Sequence, residues 1–195
     1  MKNYTIFKIN FQEKNLRKKY FFDKILLVRR NILCTKKDEY VVYRHDVCKI
    51  KDIRTNSLNG NTYYVMTPID DESLIIDIPT ENKLGHLRDI ISSDKANELI
   101  KRISSINPIE EINDKKLDSK YKELLSSGTY DDLIKIIKTT YLRNKSRIAN
   151  NRKISEKDNT YFKLAEKYLY NELAISLNMN PMEVKDYISK VVNNK

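Results

Sequence analysis

Leu58-Asn59-Gly60-Asn61-Thr62-Tyr63-Tyr64-Val65-Met66 decides the fold of the first part of the chain. Asn-Gly is the strongest short hairpin signal, because both residues tolerate positive φ. The β-branched and aromatic run behind it reads as the return strand. Upstream, Val47-Cys48-Lys49-Ile50-Lys51-Asp52-Ile53 alternates apolar with polar residues, and Tyr40-Val41-Val42-Tyr43 is a further β-branched and aromatic run. Downstream, Asp70-Asp71-Glu72 is a polar turn, and Leu74-Ile75-Ile76-Asp77-Ile78-Pro79 is a strand that proline ends. Short strands at this spacing over residues 37–82 predict a small antiparallel barrel.

After Pro79 the period changes to that of helices. Ser92 or Ser93 can cap a helix that places Leu99, Ile100 and Ile103 on one face. Asn107-Pro108 breaks the pattern, and the stretch to Asp114 reads as a linker. A short helix is expected from Asp118 to Ser127, stopped by Gly128, the favoured residue just past a helix end. Thr129 with Asp132, and Ser155 with Asp158, have the spacing of a capping box, with Asp in place of the usual Glu. The first opens a helix with Leu133, Ile136, Ile137, Thr140 and Tyr141 on one face. The second precedes Tyr161, Leu164, Ala165, Tyr168, Leu169, Glu172 and Leu173. Asn180-Pro181 with Glu183 opens a last helix whose apolar contacts are expected to be Met182, Tyr187, Ile188 and Val191. Short connections between such helices predict a bundle. The fold class is thus α+β, with a β-barrel domain over residues 37–92 followed by an all-α helical domain over 93–195.

Several function classes are excluded by composition. The chain of 195 residues is 40% hydrophobic and 33% charged, and Ile25-Leu26-Leu27-Val28 is typical of its longest apolar runs. A membrane span needs about 20 such residues, so neither a membrane role nor a leader peptide is expected. Lys2 and Lys8 are followed by no continuous apolar run and no small-residue cleavage site. Two cysteines, Cys34 and Cys48, are too few for a disulfide framework, and with only His45 and His86 beside them no zinc site is expected. Cys48 reads as a small buried hydrophobe of a reduced, cytoplasmic protein. The three glycines, Gly60, Gly85 and Gly128, are too scattered for a phosphate loop. His45-Asp46 has no nucleophile near it in sequence, and Asp70-Asp71-Glu72 is a solvated turn. Neither an enzyme nor a cofactor is expected.

Net charge is +10, but residues 1–36 hold ten Lys or Arg against Glu13 and Asp23, and so supply +8. The argument for a nucleic-acid partner must therefore be local. Between Tyr141 and Lys163 lie Arg143, Lys145, Arg147, Arg152, Lys153, Lys157 and Lys163, opposed by Glu156 and Asp158 alone. A cluster of this kind can neutralise phosphates and release condensed counterions. It can equally be a solvated corner whose cations answer a helix C-terminal dipole. By contrast, Tyr63 to Glu81 carries five acids and no Lys or Arg, so two different partners are suggested.

Tyr40-Val41-Val42-Tyr43, Val47-Cys48-Lys49-Ile50, Asn59-Gly60, Tyr63-Tyr64-Val65-Met66 and Ile78-Pro79-Thr80-Glu81-Asn82 resemble the opening module of the CarD/CdnL transcription regulators. Leu125-Ser126-Ser127-Gly128 is similar to that family's L-x-S-G corner. Tyr141-Leu142-Arg143, Ile154-Ser155-Glu156-Lys157-Asp158, Ala165-Glu166-Lys167 and Tyr170-Asn171-Glu172-Leu173 fall in its order and spacing. The likeness covers about residues 37–192. It implies an SH3/Tudor-like barrel, shared with the transcription-repair coupling factor, that docks on the β subunit of bacterial RNA polymerase by adding strand edge to strand edge. It also implies a helical domain that touches promoter DNA at the upstream edge of the melted bubble and modulates open-complex stability, without reading sequence. Two departures stand out. Many relatives carry a Trp wedge where this chain has Asn113-Asp114-Lys115-Lys116-Leu117 and no Trp anywhere, and they often carry Arg where Asp77 stands. The resemblance therefore carries polymerase docking further than bubble stabilisation.

On this resemblance the DNA contacts are expected at Lys115, Lys116, Arg143, Lys145, Arg147, Arg152, Lys153 and Lys157, and the polymerase contacts at Lys49, Lys51, Arg54, Tyr63, Tyr64 and Asp77. The protein is expected to act as a monomer. A different class, an adaptor that binds polymerase or another protein without touching DNA, stays open. A sequence-specific helix-turn-helix repressor is disfavoured by the barrel and by the lack of an evident recognition helix.

Residues 1–36 mix Lys with Phe7, Phe11 and Tyr20-Phe21-Phe22 without a clean period. Three readings stay open: a basic arm for nucleic acid, an extra helix, or a gene start placed too far upstream. Arg29-Arg30-Asn31-Ile32-Leu33 could be encoded by AGG-AGG followed closely by TTG, a ribosome-binding site and start codon, which would place the native start near Leu33. Mass measurement of the native N-terminus checks this, and an intact Met1 peptide rules it out.

Overall fold

The computed structural model describes residues 36–110 and 113–193. The readings of the N-terminal extension lie outside the described residues except for Lys36, as does Cys34. What is described divides into two compact units, one of residues 36–41 and 48–89, the other of residues 42–47 and 90–193.

Five strands, β1 (Tyr40–Tyr43), β2 (Asp46–Thr55), β3 (Thr62–Pro68), β4 (Ile76–Pro79) and β5 (Leu87–Asp89), form an antiparallel sheet in the order β4-β3-β2-β1-β5. Asn59-Gly60 does turn the chain between β2 and β3, but inside a longer loop than a two-residue hairpin. The Asn56 N–H donates to the Asn61 carbonyl at 2.8 Å and the Gly60 N–H to the Asn56 carbonyl at 2.8 Å. Within this loop only Gly60 takes positive φ, at 69°. The Asn56 and Asn59 side chains accept from the Leu58 and Asn61 N–H groups and so hold the loop locally. The register of β2 on β3 shifts between Ile50 and Asp52, which makes Lys51 the extra residue of a bulge.

Strand β5 is missing from the sequence reading, which turns to helices after Pro79. Three residues are too few to show a period. Asn82, at φ 46°, makes up for the short length: its side-chain nitrogen donates to the Leu87 carbonyl at 2.6 Å and its side-chain oxygen accepts from the Leu87 N–H at 3.1 Å. A side chain here takes the place of a strand partner. Val41, Cys48, Ile50, Tyr64, Met66 and Leu87 are buried in this unit, and Cys48 is a free thiol.

The second unit contains α1 (Ser93–Arg102) with a 3-10 turn at Ile103–Ser105, α2 (Asp114–Ser127), α3 (Tyr130–Ala149), α4 (Glu156–Leu177) and α5 (Pro181–Asn193). Ser92, Thr129 and Ser155 cap α1, α3 and α4, each accepting from the backbone N–H three residues on. Asn180 and Glu183 bond reciprocally at 2.8 and 2.9 Å, a capping box around the start of α5. Ala96, Leu99, Ile100, Leu117, Tyr121, Leu133, Ile136, Ala165, Leu169, Leu173 and Val184 form the core. Two expected core contacts fail: Met182 and Tyr141 are exposed, and Val184 takes the place in the core assigned to Met182. Helix α2 also begins four residues earlier than expected, at Asp114.

The 3-10 turn behind α1 is tied down from a distance. Lys138 on α3 donates to the carbonyls of Ile103, Ser104 and Ile106 at 2.6, 3.2 and 2.6 Å. Thr139 beside it accepts from the Ile109 N–H at 2.8 Å. These bonds add to the local Ile106 N–H to Ile103 carbonyl bond at 3.1 Å and give partners to backbone groups of the turn. Among the described residues, no helix is long and apolar enough to cross a membrane.

Gly128 ends α2 at φ 58°, and a Cβ at this position would overlap the ring of His45, which belongs to the same unit. Gly128→Ala therefore meets both a left-handed backbone and a collision. It is expected to cost about 2 kcal/mol or more in a urea unfolding titration, and an unchanged midpoint would refute that account.

Candidate nucleic-acid interface

Helices α3 and α4 meet at residues 150–155, and the turn there is stapled to the last turns of α3. The Asn150 N–H and side-chain amide both donate to the Ser146 carbonyl, at 3.1 and 2.8 Å. Asn151, at φ 54°, reverses the chain, and the Arg152 N–H returns to the Arg147 carbonyl at 2.8 Å. The Arg147 Nε donates to the Lys153 carbonyl at 2.9 Å, and the Asn144 side chain accepts from the Ser155 N–H at 3.0 Å. Ser155 then caps α4. The corner is thus held at several points before any partner arrives.

Lys145, Arg152 and Lys153 are exposed on this corner. Among the described residues they make no ion pair. Arg147 is half-buried and keeps guanidinium nitrogens beyond the Nε that holds the loop. Lys116 is exposed in the first turn of α2, and Lys115 precedes it there. Lys157 is exposed and lies 3.5 Å from Asp118. Asp118 also receives Lys122 at 2.9 Å and the Tyr161 hydroxyl at 2.9 Å, and these bonds, Lys122 first, hold its carboxyl below the usual range.

Arg143 has a different position from the rest of the cluster. Its Nε donates to Asp158 at 3.0 Å and its Nη2 to Asp114 at 2.8 Å. Asp158 is only 2% exposed and also accepts from the Tyr121 hydroxyl at 3.3 Å. Burial works against the Arg143 charge, but the two carboxylates outweigh it and raise its pKa. Burial, then the Asp158 charge, push the Tyr121 hydroxyl upward, so it stays a donor. The guanidinium thus neutralises a buried carboxylate and joins α2 to α3 and α4. Its neighbours on the corner face solvent, so the cluster read from sequence is two groups with different roles.

On the sheet, Arg54 stands opposite Tyr63 and Tyr63 opposite Pro79, while Asp52 stands opposite Val65 and Val65 opposite Asp77. Alternation along each strand puts Lys49, Arg54, Tyr63 and Asp77 on one face. Lys49 pairs with Asp38 at 3.1 Å and Arg54 with Asp52 at 2.9 Å. Lys51 is exposed at the bulge. Tyr64 is the exception: at 3% exposure it lies on the opposite face with Met66 and belongs to the core. As a docking residue it is corrected, because strand alternation sends successive tyrosines to opposite sides.

Ile148 and Ile154 are exposed at the corner. They are the only large apolar residues between Arg143 and Asp158. Among the described residues no group of three or more His, Cys, Asp and Glu stands where it could hold a metal ion. No protein-family model matches the chain, and no curated protein matches it.

A phosphate contact and an internal tie respond differently to substitution. Arg143→Met strands the buried Asp158 carboxylate and is expected to destabilise the chain by about 3 kcal/mol in urea. Where the variant remains folded, the salt slope of its DNA affinity is expected to stay unchanged. Lys153→Met is expected to leave stability alone and lower that slope by about one phosphate. A reversed pattern would make Arg143 the phosphate contact.

Proposed function

We propose that this chain is a transcription regulator of the CarD type. The reading has the sheet close into an SH3/Tudor-like barrel that docks on the β subunit of RNA polymerase. The helical unit then rests on the phosphates of promoter DNA near the upstream edge of the bubble and modulates open-complex stability. The observation that carries it is the stapled α3–α4 corner, where Lys145, Arg152 and Lys153 project without carboxylate partners among the described residues. Arg143, by contrast, is paired with Asp114 and Asp158. Unpaired, the three exposed cations suit an anion that arrives from outside, and phosphates set at regular spacing suit a rigid corner.

The shared face of Lys49, Arg54, Tyr63 and Asp77 supports the other half of the reading. An aromatic side chain between charges of both signs gives a docking surface its anchor and its register. Tyr63 is the anchor in this reading, and Lys51 is exposed at the bulge further along β2. The protein works as a cytoplasmic monomer without a cofactor and performs no catalysis of its own. The adaptor reading, without DNA, is favoured by one observation: two of the expected cations, Arg143 and Lys157, already face acids.

Salt titration separates the two readings. Contact with about three phosphates predicts a roughly fortyfold loss of affinity for duplex DNA between about 50 and 200 mM salt. Charge reversal at Lys145, Arg152 and Lys153 together is expected to abolish the binding. The full chain is also expected to capture purified RNA polymerase, and Arg54→Glu with Tyr63→Ala to lose that capture. Capture without DNA affinity would establish the adaptor, and neither activity would overturn the proposal.

A further inference from the structure

Arg143 bonds to two carboxylates in opposite surroundings. Its Nε donates to Asp158 at 3.0 Å and its Nη2 to Asp114 at 2.8 Å. The Asp158 side chain is 3% exposed and the Asp114 side chain 79%. The inner pair is fixed, because without the guanidinium the Asp158 charge would stay buried and uncompensated. The outer pair is exchangeable, since an ion pair with so exposed a partner contributes little and another anion can replace it. Asp114 holds no other cation among the described residues. Asp118, one turn further along α2, is different. Its side chain is 26% exposed and is tied to Lys122 and to the Tyr161 hydroxyl at 2.9 Å each, besides its contact with Lys157. Asp114 is thus the acid of this group that the fold needs least.

We infer that the outer end of the Arg143 guanidinium is a phosphate site that Asp114 keeps closed, so that Asp114 limits how firmly the helical unit holds DNA. This inference rests on the proposed DNA contact and adds which residue sets its strength. Arg143 and Arg147 stand one turn apart on α3, about 5.4 Å along its axis. The Arg147 side chain is bonded to the Lys153 carbonyl, so the turn of α3 that bears Arg143 adjoins the turn stapled to the corner. A guanidinium is planar, and its paired N–H groups match a phosphate as well as a carboxylate. The two anions therefore compete for it, and Asp114 competes from within the chain at high effective concentration. One guanidinium facing two carboxylates leaves the group anionic, which also repels a strand of phosphates. Removing the Asp114 charge leaves Arg143 balanced against Asp158 alone, with its outer N–H groups open to a phosphate.

The test titrates salt against the affinity of the full chain for a single duplex. Asp114→Asn keeps an acceptor beside Arg143 and loses the charge. It is expected to bind more tightly than wild type at about 50 mM salt. By about 200 mM it is expected to lose about threefold more affinity than wild type, the slope of one added phosphate. Glu156→Gln removes an exposed acid from the first turn of α4 that makes no ion pair among the described residues, and is expected to keep the wild-type slope. Arg143→Lys combined with Asp114→Asn leaves one cation for the buried Asp158 but no fork to reach a second anion. Its slope is expected to return to that of wild type, with circular dichroism and the urea midpoint showing that it is folded. If it does not fold, Asp114→Asn against Glu156→Gln decides alone. An unchanged slope in Asp114→Asn, an equal rise in Glu156→Gln, or a rise that survives Arg143→Lys overturns the closed site and leaves the DNA contact standing. Absence of affinity in wild type and Asp114→Asn alike removes the DNA contact itself. Affinity that arises only in Asp114→Asn supports the site, which Asp114 then closes outright.

Discussion

The helical unit depends on the requirements of one buried carboxylate. Asp158 sits in the first turn of α4 at 2% exposure, and an ionised carboxylate cannot stay there without partners. Its partners come from the other two helices of the corner: Arg143 from α3 and the Tyr121 hydroxyl from α2. Arg143 then reaches back to Asp114 at the start of α2. A single desolvated charge thus fixes the mutual position of three helices. Breaking one partner is more damaging than never having built the pair, because the remaining charge stays buried. The exposed cations of the corner can then point outward, since the internal charge is already balanced by a different residue.

Where an element was specified by neighbouring residues, the sequence made it legible. The caps at Thr129, Ser155 and Asn180 and the stop at Gly128 are all written within four residues of the groups they satisfy. Strands β1 to β4 were legible from alternation and turn residues in the same way, although β4 begins at Ile76 and not at Leu74. Errors arose where the deciding partner lay far along the chain. Strand β5 depends on Asn82 acting as a substitute partner, which three residues of strand cannot announce. Met182 and Val184 both suit the apolar face of a short helix, and only packing chooses Val184.

The candidate site was legible as a region and not as a division of labour. Seven cations in a stretch of sequence look equivalent, yet Arg143 faces inward to a carboxylate fifteen residues away. No local pattern marks it, because the distinction lies in how α3 turns relative to α4. On the sheet, Tyr63 and Tyr64 are both expected polymerase contacts, although the pleat sends consecutive side chains to opposite faces. In that case the signal was present and strict alternation would have removed Tyr64. Lys49, Arg54, Tyr63 and Asp77 fall on one face because strands β2, β3 and β4 stand in a register with a single bulge.

Lys138 bears on how the helical unit comes together in time. Local bonds close α1 itself, from the Ile103 N–H to the Ile100 carbonyl and from the Ser105 hydroxyl to the Arg102 carbonyl, but the cation that receives the carbonyls of the turn behind it stands more than thirty residues later, on α3. Until α3 has formed and docked, α1 has its start marked by Ser92 and its end by local bonds alone, and the turn from Ile103 to Ile106 lacks the cation that ties it down. The fixing of the turn behind α1 is therefore a product of assembly, acquired late on the folding route. Nucleation at the capped beginnings of helices and completion at their ends become separate kinetic events. A native-state exchange experiment would see Arg102 to Ile106 open in step with α3 and not with the first turns of α1.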